Sequence, residues 1–487
     1  MTTTTSLLEQ LLPSFLLVLG VLGTGLGLTV RVGGSLLLPT ATRLGIAPLA
    51  GLGILGVSML VIGHIGVIGP WIPLAFAAAG VLSLALLRHD VIDLASSARS
   101  GLQRQWRTSP IPIAAVSGGL CIAVVAAMAP PFRTDEIEYH WPAALEWARE
   151  GSWIDSSYRH VDGFPMMELT YTAAATWGSY GAAHLLHLLT LVSLGLVTAG
   201  VASALGLRGS AAVGTAAMAM PVVWDGAYVA YNDTAVGAYG VAAVAVLLGA
   251  RSRHRAAMLL VAASICAAIS IKPTAAGLVG LVGLVVLMQR VAPPRPLSAR
   301  STKEVLTDWV LITAPALLTL LFWSVRQQMM TGPLIDPLLT APASADALSR
   351  LPTSADRVIA PFLPFISGII GSQEPWGGRT SVVLQLFLIP ALAYVLLRRG
   401  EVLRRFAVVG LPAWLHWIIV GLVGVRTRFH IATWALLTVS VRVAVEDLGT
   451  HHPRTRRWME ILWGICVVLG VLDCSLEMLR LIRDSIL

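Results

Sequence analysis

Residues 135–140 read Asp-Glu-Ile-Glu-Tyr-His, placing carboxylates, a phenol and an imidazole side by side. Side chains of these types at this density can take up a proton, hold a divalent cation or orient a hydroxyl group. The segment directly follows an apolar run, 110–130, so its charges stand at the edge of a membrane. Desolvating carboxylates there is costly, and a functional gain is the expected compensation. Asp135 and Tyr139 are four apart, as are Glu136 and His140, so on a helix each pair shares a face. More chemistry-bearing residues recur where apolar runs end: Phe164-Pro165-x-x-Glu168, His184-x-x-His187, Tyr231-Asn232-Asp233, Lys272-Pro273-Thr274 and Arg426-x-Arg428-x-His430.

Each of these also has a plainer reading. Asp135-Glu136 after Thr134, and Asn232-Asp233 before an apolar run, are residues that cap helices. His140 can simply bond Glu136. His184 and His187, three apart, can ligate a metal but more often line a polar cavity or pack between helices. Lys272 can snorkel to an interface, and the Arg426–His430 group can be a chance cluster at a helix rim.

The elements that must position these residues are transmembrane helices. The chain of 487 residues is 56% hydrophobic and 12% charged, with a mean hydropathy of +0.77. Apolar runs near the length needed to cross a bilayer recur about fourteen times. The expected fold class is therefore an all-α polytopic membrane protein with about 13–14 transmembrane helices. The formal charge of +8 does not indicate a nucleic-acid partner, because the basic residues are scattered through short inter-helix loops. Cys121, Cys266, Cys466 and Cys474 all fall in apolar runs and are read as packing residues. Met1–Glu9 lacks a basic leader, so the first apolar run is expected to stay with the protein.

Positive charge sets an orientation. Placing an Arg88–Arg107 loop in the cytoplasm puts Arg31, Arg43, Arg251, Arg290, Lys303, Arg398, Arg405, Arg442 and Arg457 on the same side. Most acidic residues then fall outside, with two long outer loops, 131–179 and 328–380. In the first loop, Trp141, Leu145 and Trp147 form the apolar side of a short amphipathic juxtamembrane helix, expected to lie along the headgroup layer.

An Asp-Glu pair in the first large outer loop of a many-spanning protein resembles the GT-C glycosyltransferases, the membrane enzymes related to protein O-mannosyltransferases and lipid A aminoarabinose transferases. The resemblance rests on Asp135-Glu136-x-x-Tyr139-His140, Phe164-Pro165-x-x-Glu168, His184-x-x-His187, Tyr231-Asn232-Asp233 and Lys272-Pro273-Thr274. It covers roughly residues 110–300, and the remainder by topology alone. In most of that superfamily the Asp-bearing loop follows the first span, whereas here it follows the fourth. Residues 1–109 would then be an added three-helix membrane unit, 110–300 the catalytic membrane core and 301–487 the C-terminal helices.

The resemblance implies a polyprenyl-phosphate-linked sugar as donor. It also implies an envelope glycan, lipid or protein as acceptor, and membrane lipids as surroundings. The site would lie on the extracytoplasmic face of a bacterial plasma membrane. Inverting displacement at a sugar–phosphate bond needs a base for the acceptor's proton and cations for the departing phosphate. Asp135 is the expected base, with Glu136 and His140 completing the catalytic group. Tyr139, Glu168, Tyr231, Asn232 and Asp233 would contact substrate, and Glu136 or Asp233 are the candidates to hold a divalent metal, Mg or Mn. Lys272, Arg426, Arg428 and His430 would hold the phosphate. Two other classes compete. A lipid-linked substrate transporter or flippase would suit helices broken near Trp224 and Lys272. A glycan ligase of the O-antigen-ligase type would use outer-loop Arg and His.

Overall fold

The computed structural model describes residues 7–154, 164–250, 255–291, 302–331, 381–421 and 430–486. Among these residues there is no strand. The helices are α1 (Leu7–Ser35), α2 (Thr40–His64), α3 (Ile72–Leu86), α4 (Arg88–Thr108), α5 (Pro110–Ala126) and α6 (Trp141–Glu150). After them come α7 (Met166–Ala175), α8 (Tyr180–Ala204), α9 (Ser210–Met218), α10 (Pro221–Ala227), α11 (Asp233–Gly249) and α12 (Arg255–Ile271). The last are α13 (Gly277–Val291), α14 (Thr302–Thr331), α15 (Val382–Arg398), α16 (Gly400–Gly421), α17 (Ile431–His451) and α18 (Pro453–Ile486). A π turn, Glu136–His140, leads into α6, and a 3₁₀ turn, Pro273–Ala276, separates α12 from α13.

The apolar runs fold as helix, which makes the chain an all-α polytopic membrane protein. Among the described residues seven helices are long and apolar enough to cross a membrane, or eight if α3 and α4, bent 84° apart, count as one span. That is fewer than the runs suggested, for a geometric reason. Helices α5, α11, α12 and α15 have 17 residues each, about 25 Å of rise against a hydrocarbon core of about 30 Å. The run 210–224 divides before Pro221 into α9 and α10, since proline has no N–H to continue the ladder.

At the centre stand α8 and α11, apolar around their whole circumference and buried on nearly every face. Around them pack α2, α9, α12 and α17. By contrast α14 turns Leu317, Leu318, Leu321 and Phe322 outward, the apolar girdle that a bilayer covers. Helix α1 crosses α2 in close backbone contact. A Cβ on Gly25 would run into the carbonyl oxygen of Ala47, and one on Gly51 into that of Val21. Small residues allow such backbone contact between membrane helices. Gly51→Ala is therefore expected to destabilise the protein by about 1–3 kcal/mol, read as a lower thermal midpoint in detergent. An unchanged midpoint would mean that the α1–α2 crossing can spread at no cost.

Three expectations need correction here. The Arg88–Arg107 stretch is a helix, α4, and not a loop. Arg442, counted with the basic loops, is buried inside α17. There it donates to both oxygens of Glu460 at 2.9 and 2.5 Å and to Glu446 at 3.1 Å. Glu446 also accepts from the backbone N–H groups of Arg208 and Gly209, so this cluster ties α17, α18 and the α8–α9 turn together. Finally, Cys121 is exposed on the outside of α5, although Cys466 and Cys474 are buried as packing residues.

Candidate active site

The Asp-Glu segment begins where α5 ends. Pro130 and Pro131 stop that helix, and the chain restarts at Thr134 in a widened turn before Pro142 sets the first turn of α6. Turns of this i→i+5 kind recur at functional sites because they re-aim side chains within a helix. Here the turn separates two neighbouring carboxylates. Asp135 is half-buried, whereas Glu136 is wholly buried. The capping reading is not realised, since neither Asp135 nor Asn232 makes a side-chain capping bond.

Glu136 spends both oxygens on the protein. Oε1 meets His184 Nε2 at 2.5 Å and accepts from Ala230 N at 2.9 Å, while Oε2 accepts from Phe132 N at 3.3 Å. His184 donates its other ring N–H to the Ala127 carbonyl at 2.8 Å. Oxygen atoms at both nitrogens fix the orientation of the ring. Burial acts to raise the Glu136 pKa. The charge and hydrogen bond of His184 and the two backbone N–H groups outweigh it, holding the carboxyl below its usual value of 4.5. His187 donates to Val229 O at 2.7 Å, and the Tyr171 hydroxyl donates to Tyr231 O. These bonds pin the end of α5, α7, α8 and the α10–α11 connection to one another.

His140 does not bond Glu136. Its Nδ1 lies 2.6 Å from Glu168 Oε1, and both residues are buried. The ring of Tyr139 packs at 4.3 Å and that of Tyr231 at 5.7 Å from the His140 ring. On the far side of Tyr231, Lys272 Nζ reaches Asp233 Oδ1 at 2.6 Å and Asn232 Oδ1 at 3.5 Å. Lys272 stands where α12 stops before Pro273, and Asn232 and Asp233 stand where α11 starts. The structure thus brings Tyr139, His140, Glu168, Tyr231, Asn232, Asp233 and Lys272 into one neighbourhood beside Asp135 and Glu136.

His430 lies at the same end of the bundle but in the next layer. Its neighbour Ile431 packs on Gly237, one turn along α11 from Asp233. His430 itself is buried among His416, Trp417 and Trp434, with ring centroids at 5.7, 4.6 and 6.5 Å. Arg426 and Arg428, and nearly all of the loop 328–380, lie outside the described residues. Of the two alternative metal candidates, Glu136 accepts from protein donors with both oxygens, and Asp233 is paired with Lys272. Among the described residues no three His, Cys, Asp or Glu side chains converge as a metal set. His184 and His187, spaced like ligands, bond different partners.

Other features were not foreseen. Trp141 and Trp147 are buried, and α6 packs its apolar side against α7 instead of a headgroup layer. Arg326, near the end of α14, lies 3.8 Å from the Trp153 ring, and Trp323, one turn earlier, donates to Ser270 Oγ at 2.9 Å. That places a further cation on the rim beside Lys272. A lone arginine within the last turns of an apolar helix was the signal available for it.

No family model matches the chain, and no curated protein matches it. Among solved structures, the chain is similar to the archaeal oligosaccharyltransferase AglB from Archaeoglobus fulgidus, determined with an inhibitory peptide and a dolichol-phosphate. The identity is 11% and the TM-score 0.40, over 74% of this chain and 55% of that one. The chain thus spans little more than half the length of that enzyme, and so distant a likeness carries no argument about chemistry.

Proposed function

We propose that the chain is a membrane glycosyltransferase of GT-C type, moving a sugar from a polyprenyl-phosphate donor to an acceptor hydroxyl at the extracytoplasmic face. The observation that carries this reading is the convergence of carboxylates, imidazole, phenols and an ammonium at one end of the bundle. They come from segments as far apart in sequence as Asp135 and Lys272. In the proposed step, Asp135 takes the proton of the acceptor hydroxyl as its oxygen bonds to the sugar C1. The C1–O bond to phosphate breaks on the opposite side, and its electron pair leaves with the polyprenyl phosphate. Lys272, positioned by Asp233, is the group that meets the growing charge on the phosphate, with Arg326 as a second cation.

The contrast in burial between the two neighbouring carboxylates, Asp135 half-buried and Glu136 wholly buried, supports Asp135 as the base. Glu136 is buried with both oxygens occupied, which suits a group that holds the loop in shape. The contact between His140 Nδ1 and the Glu168 carboxylate fixes the ring and leaves Nε2 as the nitrogen that can orient the acceptor hydroxyl. Tyr139 and Tyr231, whose rings lie tilted against that of His140, offer the flat apolar surfaces that sugar rings pack against.

The test is sugar transfer by purified protein from a panel of radiolabelled polyprenyl-phosphate sugars, with cell-envelope extract as acceptor. Transfer of label from one donor is the expected result. If no donor is turned over, the transferase reading fails and the transport reading takes its place.

A further inference from the structure

Helix α4 has no part in the site and lies at the other end of the bundle. Gln105 Nε2 donates to Arg208 O at 3.1 Å, and its Oε1 accepts from Ala211 N at 3.4 Å. Those partners follow the C-terminus of α8, whose N-terminal end carries His184. With 25 residues, α8 separates the two ends by about 37 Å.

Its direction is as informative as its place. Only Leu87 intervenes between α3 and α4, and the two axes are bent by 84°. If α3 runs across the bilayer, α4 runs along its surface.

Its 21 residues sort into three stripes at helical spacing. Leu94, Ala98, Gly101 and Gln105 face the neighbouring helices, Leu94 fully buried and the others half-buried. Ile92, Ala95, Leu102 and Trp106 form a second stripe that nothing in the protein covers. Ile92, Leu102 and Trp106 are 62%, 56% and 47% exposed. Asp93, Ser97, Ser100 and Arg104 make the third, fully polar stripe. The helix carries four arginines against two aspartates, and Arg88 and Arg99 fall within the exposed apolar stripe itself. An arginine among apolar residues suits a headgroup boundary, where the stem lies in acyl chains and the guanidinium meets phosphate.

From the bend, the stripes and the charge, we infer that α4 is an interfacial helix. It docks Ile92, Ala95, Leu102 and Trp106 into the bilayer surface opposite the candidate site and holds anionic lipid headgroups through Arg88 and Arg99. The occupant of the uncovered stripe is thus lipid, because the stripe continues the outward apolar faces of the helices on either side, Leu82 and Leu86 of α3 and Ile111 of α5. The first 109 residues gain a binding role in this reading: they anchor the bundle to acidic lipid at the face away from the chemistry.

The test uses the full-length protein in nanodiscs containing phosphatidylglycerol, with the native cysteines replaced by serine. A single nitroxide label is placed at Ile92, Leu102, Asp93 or Arg104. The expected result is greater accessibility to oxygen than to a nickel chelate at 92 and 102, with the order reversed at 93 and 104. In addition, Arg88→Glu with Arg99→Glu should lower the ratio of phosphatidylglycerol to phosphatidylcholine that copurifies, while the oxygen pattern reports whether the helix itself persists. Nickel access dominating at all four positions would place α4 in water and overturn the inference. Exclusion of both reagents at 92 and 102 would overturn it too, by showing that protein covers the stripe. A normal label pattern with unchanged lipid ratios would refute the headgroup contact.

Discussion

Replacing Asp135 with Asn is expected to cut sugar transfer by roughly 10²–10⁴-fold, the usual worth of a positioned base, while the thermal midpoint stays where it is. The amide keeps the shape and most of the hydrogen bonding of the carboxylate, so half-buried Asp135 can be exchanged without opening a cavity. What it loses is the ability to accept a proton. The loss should therefore appear in kcat, with KM for the donor nearly unchanged, since the base acts in the transition state and not in binding. Transfer at the wild-type rate by Asp135→Asn would assign the proton to another acceptor, His140 being the imidazole of the same segment.

The second large effect is on stability. Glu136→Ala is expected to cost about 3–5 kcal/mol, because it removes one member of a buried ion pair and leaves the other uncompensated. It also strips the acceptor from the N–H groups of Phe132 and Ala230. The measurement is unfolding in mixed micelles. A paired variant, Glu136→Leu with His184→Phe, should recover much of the loss, since a packed apolar pair needs no charge.

The same group predicts an acid limit. The pKa of Glu136 is lower in the folded protein than in the unfolded chain, so the folded state binds fewer protons there. Its contribution is complete above the unfolded value near 4.5 and is lost as pH falls through the lower, folded value. The Leu–Phe pair should remove that part of the acid sensitivity. Should Glu136→Ala unfold like wild type and yet lose activity, Glu136 would have to act on substrate rather than on the fold.

The helices were legible in the sequence because a lipid-exposed or buried helix must be apolar over most of its length. The same logic explains what was missed. Trp141 and Trp147 look alike in sequence whether their stripe meets lipid or α7, because transfer out of water favours both. Helix α4 was read as a loop because its arginines lower its mean hydropathy, although Leu94, Ala98 and Gln105 keep helical spacing.

At the candidate site, the residue types could be read and the partnerships could not. The pairs His184–Glu136, His140–Glu168 and Lys272–Asp233 join positions 48, 28 and 39 residues apart. Each pair crosses between helices, and which helices adjoin is decided by packing. The i, i+4 spacing suggested Glu136–His140 instead, a local pairing that the widened turn and the more distant partners displaced.

That turn has one more consequence. A π turn amounts to a regular helix with a single residue added, so the angular phase between Asp135 and the helix that follows depends on a count of one. Ile137 lies in the turn with its side chain exposed. Deleting it would let the segment close into an ordinary helix and would swing His140 and Trp141 by roughly 100° relative to the Asp-Glu pair. Every functional side chain would still be present, and the address of each would be wrong. For this protein, loop length at position 137 is as much a part of the chemistry as the residues that perform it.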